Sequence, residues 1–305
     1  MNPYSYVTGV PCSNVQLKRT TRTWLLYTVD FRTAHPTRHE ENNTVRGEYF
    51  RPRHSNDDLP LIILIHGMGD RSVIPCKLLA RSLAKRGIAC FILYLVLHSS
   101  RMPPGGLSSL TSDDWVENYR ISVIDVRQVI DWAATRPEIN ERQLAVIGIS
   151  FGGFISAITM AVDKRIRASV LLTTAGNLEK IAKLSKTLPK EWGHSNTEAE
   201  FNSRQSRYAQ YLDDVAKKGL ENVSPTENGF LNDPMTFAYY LRKRPMLMIN
   251  ALWDEVIPKQ ATLDFWGACD KPAIAWFPGG HATIWLWYPL IFRKIICFLR
   301  SSLGL

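Results

Sequence analysis

Residues 59–65, Leu-Pro-Leu-Ile-Ile-Leu-Ile, contain no polar side chain. A strand with one wet face alternates apolar and polar residues, so a run without alternation implies a strand covered on both faces. Further short apolar runs follow at 88–96, 143–149, 168–173, 246–250 and 273–277. Helical patterns separate them. One spans 73–86, with Leu79 and Leu83 on one face and Gly87 as its stop; a long one carries Trp115, Tyr119, Val123, Val126, Ile130 and Ala133 at intervals of three or four. Others are expected at 152–162, 260–269 and 289–299. Strands that alternate with helices need crossovers, so the expectation is an α/β fold: a mostly parallel sheet with helices on both faces. Two strands at 24–31 and 45–51, separated by a polar stretch with Pro36, precede this pattern.

The alternation breaks between 174 and 243, where the chain is polar and helical. Ser195 and Glu198 have capping-box spacing ahead of Phe201, Tyr208, Leu212 and Val215, and Asp233-Pro234 marks another helix start. The expected organisation is therefore an α/β core in two parts, 1–173 and 244–305, with a helical lid insertion at 174–243 between them.

Hydrophobic residues make up 45% of the 305 and charged residues 21%, the balance of a globular chain with a full core. Apolar runs at 61–65 and 90–97 are far too short to span a bilayer, and the N-terminus shows no secretory pattern. Five scattered cysteines lack metal-ligand spacing; reduced thiols in a cytoplasmic protein are expected. A net charge of +9 is spread along the chain without a nucleic-acid-binding motif, which reads as a solvated basic surface. His35 and His39 lie four apart, but Pro36 prevents a helix there, so no metal site is expected.

Chemistry concentrates at Gly148-Ile149-Ser150-Phe151-Gly152-Gly153, a G-x-S-x-G with a strand pattern before it and a helix pattern after it. A sharp strand-to-helix turn strains the serine backbone and lifts its hydroxyl above the sheet, and larger residues at the flanking glycines would collide with neighbouring elements. A serine hydroxyl needs a base within hydrogen-bond reach. Among seven histidines only His281, in Pro278-Gly279-Gly280-His281, follows the last strand, where a glycine loop folds back over the strand ends. The base needs an anion to hold its tautomer. Asp254 and Glu255, just beyond the strand at 246–250, are both placed to supply it, and because successive side chains diverge only one is expected to face His281. Two donors must meet the developing oxyanion: one is the N–H of Phe151, and the other comes from His66-Gly67-Met68-Gly69.

Those motifs, in the order Ser, Asp, His, resemble the α/β-hydrolase superfamily, in particular its esterase branch of dienelactone-hydrolase-like and acetyl-xylan-esterase-like proteins. The resemblance covers about 59–299. It implies a mainly parallel eight-stranded sheet and two-step hydrolysis of carboxylic esters without metal or cofactor. Asp254 rather than Glu255 stands at the family's acid position, Met68 supplies the second oxyanion donor, and His66 is a structural loop residue. The thiol-using dienelactone hydrolases carry cysteine at the nucleophile position; Ser150 here points to esters.

For substrate contacts, Arg101 and Arg71 are candidates to bind an anionic group, and Trp285, with Trp253, Trp287 and Tyr288, to line a pocket. Asp70 is placed either to fix the loop or to touch substrate. The expected partner is a small-molecule ester, not nucleic acid, with no stable membrane insertion. The same residues also serve a thioesterase or an acyltransferase, and a non-catalytic binding protein of this fold would be expected to lack part of the triad. A peptidase of the prolyl-oligopeptidase type would need an N-terminal propeller for which there is no room.

Overall fold

In the computed structural model, which describes residues 3–9, 11–54, 58–69, 73–189, 193, 195 and 197–305, the apolar runs become the middle of a single sheet. Its strands are β1 (Ser13–Thr20), β2 (Trp24–Arg32), β3 (Thr44–Pro52), β4 (Leu59–Ile65), β5 (Ala89–Tyr94), β6 (Ile139–Ile149), β7 (Ile166–Leu172), β8 (Met246–Ala251) and β9 (Ala273–Phe277), in the order β1-β2-β3-β5-β4-β6-β7-β8-β9. The pairs from β1 to β5 are antiparallel and those from β5 through β4 to β9 are parallel. The order reverses around β4, which opens a crevice at the carboxyl ends of the neighbouring strands.

Side chains of β4 part by alternation. Leu61, Ile63 and Ile65 enter one apolar core, and Ile62 and Leu64 enter the other. The first core is covered by α2 (Ser112–Ala133), α3 (Phe151–Val162), α6 (Pro234–Leu241) and α7 (Lys259–Ala268); the second is covered by α1 (Val73–Ala84) and α8 (Tyr288–Leu303). The doubly covered strand inferred from 59–65 is thus present, fully buried from end to end.

Nine strands replace the expected eight. The additional one, β1, runs Ser-Asn-Val-Gln-Leu-Lys-Arg-Thr with most side chains in solvent. An edge strand needs few apolar residues and tolerates basic ones that discourage further pairing, so no apolar run announced it.

Between β7 and β8 lie α4 (Leu178–Leu184), α5 (Glu198–Lys218) and α6. The capping box falls at Thr197 and Glu200, two residues beyond the expected Ser195 and Glu198: the Thr197 hydroxyl accepts from the Glu200 N–H at 3.1 Å and the Glu200 carboxylate accepts from the Thr197 N–H at 3.2 Å. Both pairs have the same spacing, and the apolar stripe from Phe201 onward fits either start. Asp233 caps α6 as expected, and its carboxylate also accepts the N–H groups of Asn177 and Leu178 at 2.8 and 2.6 Å. Burial raises this carboxyl and the three backbone donors oppose the shift. Tyr208, Tyr211 and Phe237 of this segment share the core of the sheet.

Candidate active site

The turn from β6 into α3 holds Ser150 at φ 54°, ψ −118°, a left-handed conformation that costs a non-glycine residue on the order of 1–3 kcal/mol. Its surroundings over-determine it. The Ser150 N–H donates to the Leu172 carbonyl at 2.8 Å, and the Ser150 carbonyl accepts from the Gly153 N–H at 2.8 Å and the Thr174 hydroxyl at 2.7 Å. A Cβ on Gly148 would lie 2.2 Å from the Gly152 carbonyl oxygen, and one on Gly152 would lie 2.2 Å from that of Ile65. The glycines therefore let the elbow press against its own helix and against the end of β4.

The loop after β9 brings His281 to this hydroxyl. His281 Nε2 lies 2.9 Å from Ser150 Oγ, and Nδ1 lies 2.9 Å from both carboxylate oxygens of Asp254. An ionised carboxylate only accepts, so it fixes the proton on Nδ1 and leaves Nε2 as the acceptor for the serine hydroxyl. The Asp254 carboxylate is held in turn by the N–H groups of Val256 and Ile257, at 2.9 and 2.8 Å.

Glu255 does not diverge from the site as expected. Its carboxylate accepts the backbone N–H of His281 at 3.0 Å, and a Cβ on Gly280 would lie 2.4 Å from it. Adjacent carboxylates thus grip one histidine, Asp254 by the ring and Glu255 by the backbone. The Glu255 carbonyl also accepts from the Lys186 N–H at 3.0 Å and the Ser185 hydroxyl at 3.2 Å, which ties the helical segment to the same loop.

Phe151 opens α3, so its N–H belongs to the first-turn donors that find no partner within the helix. Met68 sits in the loop after β4, against which Gly152 packs. In that loop His66 is buried: its Nε2 accepts the Leu95 N–H at 3.1 Å, which leaves Nδ1 to donate to the Gly67 carbonyl at 2.7 Å. This is the structural role expected of His66. By orienting the Gly67–Met68 peptide it also turns the Met68 N–H away from the ring, since C=O and N–H oppose each other across a trans peptide. Behind Phe151 the rings of His98 and Tyr119 pack at centroid distances of 6.4 and 5.0 Å; the sequence marked Tyr119 only as part of a helix face and did not place either residue at the site.

One expected contact needs correction. Arg101 is wholly buried, with its guanidinium 2.8 Å from the Asp125 carboxylate and donating to the carbonyls of Tyr94 and Asn42, so no substrate anion reaches it. Trp285 packs against the core beneath α1 and α8, and the tryptophan exposed beside Asp254 is Trp253. Asp70, Arg71 and His194 lie outside the described residues. His35 pairs with Glu117 and His39 with Asp114, and no cluster of three metal-ligating side chains occurs among the described residues.

A profile of the alpha/beta hydrolase fold matches residues 60–286, which include the elbow, both acid-loop carboxylates and His281. The chain belongs to the α/β-hydrolase family. No curated protein matches its sequence. Among solved structures it is similar to an acetyl xylan esterase from Paenibacillus sp. R4 (TM-score 0.68, 17% identity, covering 96% of this chain and 89% of that one). It is also similar to acetyl xylan esterase 1 from Thermoanaerobacterium sp. JW/SL YS485 (0.65, 17%, 94% and 88%) and to a cold-adapted esterase from an Arctic intertidal metagenomic library (0.61, 16%, 93% and 97%). At such identities the likeness is one of fold, and the α/β-hydrolase architecture inferred from the sequence is the one present.

Proposed function

We propose that this α/β-hydrolase is a serine carboxylic-ester hydrolase that works through an acyl-enzyme on Ser150. The observation that carries the reading is the unbroken line of hydroxyl, imidazole and carboxylate, each contact at 2.9 Å. In the reaction Ser150 Oγ attacks the ester carbonyl carbon while His281 Nε2 takes its proton. Asp254 stabilises the imidazolium. The N–H groups of Phe151 and Met68 meet the oxyanion. Collapse of the tetrahedral intermediate breaks the bond to the alkoxy oxygen, which leaves with the proton from His281. Water then gives a proton to the same nitrogen and attacks the acyl carbon; the bond to Ser150 Oγ breaks, Oγ takes the proton back from His281, and the acid leaves. The esterases among the structural relatives support the choice of ester.

We also propose that residues 174–243 cap the site, anchored through Ser185 and Lys186 on Glu255. A panel of nitrophenyl esters of increasing acyl length, with matched acyl thioesters, tests the activity. Short carboxylic esters are expected to turn over fastest; no turnover of any ester, or turnover of thioesters alone, would overturn the assignment.

Glu255 acts in this scheme as a positioning residue. Glu255→Ala is expected to lower kcat about tenfold with KM little changed, because an exposed loop that loses a charge-assisted hydrogen bond holds the base less often in line. Glu255→Gln keeps an acceptor for the His281 N–H and should recover most of the loss. Equal rates in all three proteins would remove Glu255 from the mechanism.

A further inference from the structure

The second core leaves a surface that the proposed chemistry does not use. Helices α1 and α8 lie side by side over it: the Tyr288 hydroxyl donates to Ser82 Oγ at 2.6 Å, and the Arg86 guanidinium sits 4.6 Å from the Phe292 ring centroid. Each helix follows a parallel strand, so both begin at the sheet edge where Ser150 stands. Their outer faces have the same two-part pattern. Near that edge the exposed residues are apolar: Ile74 and Leu78 on α1, Leu286 and Leu290 leading into and along α8, with Leu286 82% exposed. Farther along they are basic: Arg81, Lys85 and Arg86 on one helix and its end, Arg293, Lys294 and Arg300 on the other.

Neither helix contains an aspartate or glutamate. Lys77 pairs with Glu48 at 3.0 Å, but none of those six cations has a carboxylate partner among the described residues. Some arginines elsewhere in the chain, such as Arg127 and Arg165 with Asp163, are paired with carboxylates. Six cations unpaired among the described residues therefore lie together behind an apolar rim.

From this arrangement we infer that the α1–α8 face docks reversibly on a bilayer that carries anionic headgroups. Leucine and isoleucine side chains at the rim enter the boundary between headgroups and acyl chains, and the basic residues behind them meet the phosphates. A second copy of the chain does not fit, because two faces of like charge would repel. A nucleic acid would use the cations but would have no use for exposed aliphatic side chains at their edge. Docking in this pose turns the proposed active-site edge toward the membrane. The inference rests on the fold and not on the catalytic reading.

Co-sedimentation of the full chain with vesicles of phosphatidylcholine, with and without phosphatidylserine, tests it. Binding is expected only to the mixed vesicles and should weaken as salt rises. Lys85→Glu with Lys294→Glu is expected to reduce it by about tenfold or more, and Leu78→Ser with Leu290→Ser by about tenfold, in proteins whose thermal unfolding matches the parent. Ser150→Ala should bind as the parent does, which separates failure of docking from failure of the esterase reading. The inference is overturned by equal binding to neutral and mixed vesicles or by no binding at low salt. Retention of a DNA duplex that the leucine changes do not affect would assign the face to a polyanion instead, and a dimer broken by those changes would assign it to self-association.

Discussion

Ser150→Ala is expected to fold as the parent does and to lose ester turnover by about 100,000-fold or more. The hydroxyl is the reacting atom of the scheme, and its contact in the site is with His281 Nε2. Alanine keeps the Cβ and the backbone contacts of the elbow, so the bonds from Ser150 N–H to Leu172 and from Thr174 to the Ser150 carbonyl survive. Stability should be unchanged or slightly higher, as often follows when a strained active-site polar group is removed. His281→Ala should be nearly as slow, and the double variant no slower than either, because residues that act as a unit are not additive. Two measurements check this: kcat/KM for a nitrophenyl acetate, and the mass of the Ser150 peptide after reaction with a fluorophosphonate. Parental turnover in Ser150→Ala, or an adduct on another residue, would end the acyl-enzyme account.

The parts of the fold that were legible in the sequence are those in which local pattern and burial agree. β4 through β8 are apolar because helices cover both of their faces, so their residues carry the message themselves. β1 is held by pairing to β2 alone, and its side chains face water, so the message lies in the partner strand. α8 continues to Leu303 rather than 299 because Gly304, left-handed at φ 70°, supplies the C-cap; the apolar stripe by itself does not mark that end.

The site divides in the same way. The elbow glycines and the His281 loop are dictated by close backbone approach, which few residue types satisfy, and so they show as motifs. The role of Glu255, named only as a rival acid, was hidden because its partner is a main-chain N–H, which has no residue signature. The expected divergence of adjacent side chains holds for the imidazole but not for the loop that carries it. The second contact of Asp233 was hidden for a related reason: its cap on α6 was legible, but it also reaches 56 residues back to the Asn177 N–H, and capping is legible only when cap and helix are neighbours in sequence.

Arg101 was misread because a loop arginine in sequence is usually exposed. Its burial makes a second large effect expected. Arg101→Met should destabilise the protein by about 3–5 kcal/mol, since it leaves the Asp125 carboxylate buried without its counter-charge. The Tyr94 and Asn42 carbonyls lose their donors at the same time. Burial already raises the Asp125 carboxyl, with Arg101, Thr33 and His35 pulling it back, and in the variant only Thr33 and the weaker pull of His35 remain. A carboxyl raised in the folded state stabilises below its unfolded pKa and loses that contribution as pH rises through the folded value. The deficit should therefore be smallest in acid and should grow toward neutral pH. Arg101→Met with Asp125→Leu removes both charges and should recover most of the stability. Urea unfolding across that pH range measures all three proteins, and turnover per folded molecule should stay near parental. Unchanged stability with a selective loss on anionic esters would instead return Arg101 to the substrate.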